Sequence, residues 1–162
     1  MVRWDHNAAV CYVYLCDTPP RPDLSSRDYA AWEVKFKQSA WFTRGWTLQE
    51  MIAPPSLPKS STLASGQWQA PRRSLARAIK AKTGVPCDVL ATGNLSNTSP
   101  AQRMSWAAHR QATRSEDMAY CLLGIVDIKV PMLYGEGDRA FIRLQKAIMK
   151  TSDGTDWPAA LT

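Results

Sequence analysis

The chain lacks the long apolar run of a membrane span, and none of its stretches approaches ~18 residues. Histidine is scarce, with only His6 and His109. The four cysteines, Cys11, Cys16, Cys87 and Cys121, form no CxxC pair. Zinc sites draw on clustered Cys and His, so no metal centre is expected, and buried reduced thiols are the plain reading. The opening MVRWDHNAAV carries charge and polarity where a signal peptide needs an apolar stretch. A cytoplasmic location is therefore expected. YGEG at 134–137 lacks the lysine of a Walker motif and reads as a turn before a helix. No internal repeat is present.

What remains is ordinary globular material. The 162 residues are 45% hydrophobic and 21% charged. That suits one domain, or a large piece of one, and argues against wholesale disorder. The net charge of +6 tolerates anionic partners without demanding any.

AAVCYVYL at 8–15 is almost continuously apolar and β-rich, the pattern of a strand buried on both faces of a parallel sheet. Pro19, Pro20 and Pro22 mark a loop. Residues 28–39 predict a helix with Tyr29, Trp32 and Phe36 on one face. A short helix over 46–52 follows, with Thr43 as a candidate N-cap and Pro54 and Pro55 as its stop. Residues 56–69 read mostly as loop. Further helices are expected over 72–82, 100–110, 116–123 and 137–150. Ser99 with Gln102 marks the start of the second of these, and Ser115 is the candidate cap of the third. Residues 85–90 read as a short extended segment, and 125–130 as strand or loop. The tail from 151 to 162 is expected to fray.

Three stretches resemble one family. They are AAVCYVYLCD at 8–17, SAWFTRGWTLQEMIAP at 39–54, and QRMSWAAHRQATRSEDMAYCLLGIVDIKVPMLYGEG at 102–137 running into DRAFIRLQKAIMKTSDGTDW. Together they resemble the HET domain, the fungal heterokaryon incompatibility domain, over most of the chain and in the right order. Two departures stand out. The family's opening strand–helix–strand has no counterpart before residues 1–7. LPKSSTLASGQW at 57–68 lacks strand periodicity where the family has an apolar aromatic strand.

The resemblance implies fungal non-self recognition and programmed cell death. It also implies a TIR-like, flavodoxin-like α/β fold with a parallel sheet, here helix-rich and lacking its N-terminal strands, with residues 1–150 forming a partial domain. An incomplete sheet exposes strand edges, so oligomerisation is expected. The partners implied are a second copy, giving a homo-oligomer, or a full-length HET-domain protein.

Many TIR domains cleave NAD with a helical glutamate that follows a tryptophan by four. Trp46 and Glu50 have that spacing. By this resemblance Glu50 is the candidate catalytic residue, Trp46 and Arg44 are candidate substrate-binding residues, and NAD is the candidate substrate; no cofactor is implied. Chemically, cleaving an N-glycosidic bond builds positive charge on the ribose, and a fixed carboxylate stabilises it. An indole stacks on a flat base, and a guanidinium forks onto a pyrophosphate. Equally, a tryptophan at a helix start is an ordinary core anchor, and a glutamate one turn on is an ordinary solvated residue. The missing upstream part would supply much of a nucleotide pocket. This chain alone is therefore expected to be inactive.

Two alternatives use the same residues differently. One is a non-catalytic, self-associating interaction module or regulator. The other rests on PRRSLARAIKAK at 71–82, which holds five basic residues and no acid. It lacks aromatics for stacking on bases, so nucleic acid is the weaker partner. Glu116, Asp117 and His109 are explained by helix-dipole complementarity, and Ser105 lies outside any nucleophile elbow.

Overall fold

The computed structural model describes residues 12–13, 15–23, 25–52, 61–63, 68–70 and 72–151. The elements are β1 (Tyr12–Val13), α1 (Tyr29–Gln38), a 3-10 turn (Ala40–Thr43), α2 (Thr47–Ile52), β2 (Ser61–Leu63), β3 (Trp68–Ala70), α3 (Arg72–Thr83), α4 (Cys87–Thr92), α5 (Pro100–Ser105), α6 (Ser115–Tyr120) and α7 (Arg139–Thr151). The chain is helix-rich, as expected. No helix among the described residues is long and apolar enough to cross a membrane.

The sheet differs from expectation. Its order is β1-β2-β3. β1 pairs parallel with β2, Tyr12 opposite Thr62, but β2 and β3 are antiparallel, Thr62 opposite Gln69. The sheet among the described residues is thus mixed, not the all-parallel TIR-like sheet implied by the resemblance. Two of its strands occupy the stretch read as loop. Strands of three residues are too short to display an alternating pattern, so pairing with neighbours forms them and local periodicity does not reveal them.

Other boundaries moved for local reasons. Residues 87–92 form α4 where an extended segment was expected. Pro86 stands at its N-cap position and Gly93 ends it in the left-handed conformation. Val89 and Leu90, which suggested a strand, are buried on this helix. α5 stops at Ser105, and α6 stops at Tyr120. Trp106 and Ala107 are buried beyond α5, and Leu122 and Ile125 beyond α6, in turns instead of helix. Residues 125–130 form no strand, and Asp127 takes a positive φ of 55°. Thr43 does not cap α2; its hydroxyl donates to Ala40 O within the 3-10 turn. Ser115 is the first residue of α6, with Arg114 at the cap position. Ser99 does cap α5, its Oγ accepting from Gln102 N at 3.2 Å. The opening residues 1–11, most of the 8–15 strand prediction and the 152–162 tail lie outside the described residues.

An aromatic column joins the first half. Trp32 stacks on Phe36 with centroids 5.1 Å apart, and Phe36 meets Phe42 edge-on at 5.1 Å. The Trp32 indole donates to Pro19 O at 2.9 Å. Asp17 accepts from Ser39 Oγ (2.7 Å) and Ala40 N (2.6 Å), fastening the chain after β1 to the end of α1. These hydrogen bonds hold the Asp17 carboxyl below its usual range. The same core continues through Leu48 of α2, Leu75 of α3, Leu90 of α4, Tyr120 of α6 and Leu144 of α7. Phe36 is 1% exposed. Phe36→Ala is expected to cost about 3–5 kcal/mol, seen as a lower urea midpoint. Val34→Ala, on the exposed side of α1, should change stability by no more than about 0.5 kcal/mol.

Candidate functional site

The residues singled out as a candidate site lie on one continuous turn. Arg44 ends the 3-10 turn in an extended conformation, Gly45 and Trp46 follow, and Glu50 sits in the first turn of α2. A parallel bridge pairs Arg44 with Gln111. Gln111 N donates to Thr43 O (2.6 Å), and Gly45 N donates to Gln111 O (2.8 Å). Gly45 is required by close approach: a Cβ there would stand 3.0 Å from Cys121 Sγ.

Beneath this turn lies a buried cation. Arg110 is 4% exposed. Its Nη1 donates to Arg44 O (2.9 Å) and to Thr47 Oγ1 (2.8 Å), and its Nε donates to Trp106 O (3.3 Å). The Thr47 hydroxyl in turn lies 2.6 Å from Trp41 O. Burial pushes the Arg110 guanidinium down to about 10, opposed by nearby Cys121 and Glu50. At neutral pH Arg110 is therefore still charged. Gln49, also buried, donates from Nε2 to Cys121 O at 2.6 Å. Arg110 Nη2 and Gln49 Oε1 are buried without a protein partner.

The three candidate residues have different surroundings. Glu50 is half-buried within electrostatic reach of Arg110. Trp46 is half-buried and packed against the core, the anchoring role open to it from the start. Arg44 is exposed, and its carbonyl is engaged by Arg110. A guanidinium, an indole and a carboxylate thus fall within seven residues of one stretch, with no hydrogen bond or ion pair among their side chains. Arg110, Thr47 and Gln49, which brace that turn, carried no signal in the sequence. Arg110 follows His109 in a helical-looking run and reads there as a C-terminal charge.

A second braced feature is the YGEG turn. Glu116 Oε1 accepts from Gly135 N (2.8 Å) and Gly137 N (3.1 Å). Both glycines have positive φ, which explains their presence. The Tyr120 hydroxyl accepts from Leu133 N (2.7 Å) and lies 2.8 Å from Glu136 Oε1. Glu136 also pairs with Arg143 of α7. Tyr134 donates to Asp117 Oδ1 (2.9 Å), with Arg114 over its ring at 5.2 Å. The helix-dipole reading of Glu116 and Asp117 is thus incomplete, since both also hold this turn. A separate open cleft of about 500 Å³ is lined by Asn94, Ser96, Arg103 and Asp127 and holds none of the candidate residues. Arg103 donates there to Leu95 O (2.7 Å) and Ile125 O (3.0 Å). Among the described residues no cluster of His, Cys, Asp or Glu fits a metal ion.

Over 151 residues, 93% of its length, the chain is 44% identical to the vegetative incompatibility protein HET-E-1 of Podospora anserina. The chain is related to an incompatibility protein. It spans 11% of the length of that relative. No protein-family model matches the chain, and no solved structure matches it.

Two outcomes test this geometry. The Glu116 carboxyl is held below its usual 4.5 by its own backbone N–H and by those of Gly135 and Gly137. A lowered folded value means the turn gains stability above the unfolded value and loses it as pH falls through the folded one. Gly135 and Gly137 amide shifts should therefore move together in an acid titration by NMR, at a pH below that of a free glutamate, and lose that step in Glu116→Gln. Burial pushes the Cys121 thiol up to about 12. At about pH 8 a thiol reagent should modify exposed Cys16 rapidly and Cys121 only after unfolding, as mass spectrometry of modified peptides will report.

Proposed function

We propose that this chain is a HET-type module of the fungal vegetative incompatibility system, TIR-like in its complete form and acting in programmed cell death. The observation that carries this reading is the 44% identity to HET-E-1 across 93% of the chain. In the intact domain, Glu50 is the carboxylate that stabilises the ribosyl cation as the nicotinamide bond of NAD breaks. Arg44 faces the pyrophosphate, and Trp46 flanks the base. The half-buried position of Glu50 in the first turn of α2, over the buried Arg110 guanidinium's side of the fold, supports this assignment, because the reaction needs a carboxylate held in place.

A second reading, a non-catalytic interaction module, is favoured by three consecutive large side chains leading into the YGEG turn, Met132, Leu133 and Tyr134, each about half exposed. The two readings separate in a chimera in which this chain replaces the matching segment of HET-E-1. The first expects the chimera to trigger the incompatibility reaction and to release free nicotinamide from NAD. Glu50→Ala should then lower that release at least about 100-fold. Equal release from both chimeras removes Glu50 from the mechanism. An incompatibility reaction without nicotinamide release leaves the interaction module.

A further inference from the structure

The last helix is apolar on two sides. Its inner face buries Ala140, Leu144 and Ile148. On the opposite side Ile142 is 49% and Met149 57% exposed, flanked by exposed Arg139, Lys146 and Lys150. At ~100° per residue these five positions fall within one stripe about 100° wide. The helix contains no acid.

Met132, Leu133 and Tyr134, on the loop that precedes the helix, are each about half exposed as well. Arg143 Nη2 donates to the Tyr120 hydroxyl, which accepts from Leu133 N, so the loop is tied to the helix next to Ile142. Nearby acids already have partners: Glu116 holds Gly135 and Gly137, Glu136 pairs with Arg143, and Asp117 accepts from Tyr134. Exposed Arg114 lies over the Tyr134 ring, and Asp138 is an exposed acid. Large apolar groups on a braced loop lose little freedom on docking. Contiguous exposed apolar groups rimmed by charge are the usual composition of an interaction surface.

We propose that the outer face of α7 together with the 132–134 loop docks an acidic amphipathic helix of a partner protein, its apolar side chains covering Ile142, Met149 and Leu133 and its carboxylates meeting Arg139, Lys146 and Lys150. Charge complementarity selects this occupant. A second copy would set the same basic stripe against itself. A bilayer is disfavoured because the inner face of α7 is packed in the core and the helix cannot sink into the headgroup layer.

The test uses a fluorescent synthetic helix of leucine and glutamate at amphipathic spacing, its lysine counterpart, and vesicles containing phosphatidylserine. Fluorescence anisotropy should show saturable, salt-sensitive binding of the acidic peptide. Ile142→Glu with Met149→Glu should weaken it at least about tenfold, and Lys146→Glu several-fold. Leu133→Ser should weaken it without altering the circular dichroism spectrum. All four substitutions are on exposed side chains, so the variants should stay folded. The proposal is overturned by absence of peptide binding, by equal binding of the lysine peptide, or by equal affinity in the double variant. Binding to vesicles alone overturns it in favour of a membrane surface. A dimer seen by sedimentation and dissolved by Ile142→Glu overturns it in favour of self-association.

Discussion

The buried guanidinium of Arg110 ties together parts of the chain that are far apart in sequence. It reaches across more than sixty residues to Arg44 O and Thr47 Oγ1. Burying a charge is costly unless its donors are matched. Carbonyls and a hydroxyl match Nε and Nη1 and leave Nη2 without a protein partner, with Glu50 and Cys121 in its field. The Arg44–Gln111 bridge lies in the same stretch, where Gly45 leaves no room for a Cβ beside Cys121. The candidate turn is thus braced from below by residues that come from after α5 and α6. A carboxylate on such a turn is aimed by the tertiary structure, since a helix of six residues has little stability of its own.

A second set of braces holds the turn at 134–137. Glu116 and Tyr120 satisfy the backbone of a turn whose glycines permit its path, Glu136 holds the Tyr120 hydroxyl, and the large side chains at 132–134 are about half exposed. Polar atoms hold the turn from inside while apolar atoms meet solvent, the reverse of ordinary loop composition. Catalytic and docking readings of this chain therefore concern different surfaces, one over α2 and one over α7. They do not compete for residues.

Much of the helical framework was legible. Tyr29, Trp32 and Phe36 recur at helical spacing, and Leu144 and Ile148 do the same on α7, because burial of one face imposes that period. Ser99 announced its helix through local capping chemistry. The stretch holding Arg44, Trp46 and Glu50 was singled out by resemblance to a family, and spacing alone would not have marked it. The β2–β3 hairpin was invisible, because its strands are held by cross-strand pairing and not by a pattern of their own. Residues 87–92 misled for a related reason: Val89 and Leu90 favour a strand locally, but the core accepts them on a helix.

The amino-acid order alone determined the helix-rich character, the lack of a long apolar run and the similarity to an incompatibility protein, since each follows from local composition or from matching residues in order. Only the tertiary structure decided the mixed direction of the sheet, the part played by Arg110 and the outward face of the 132–134 loop. Those depend on which distant groups meet. A guanidinium written beside a histidine reads as surface charge until the chain folds Arg44 and Thr47 over it.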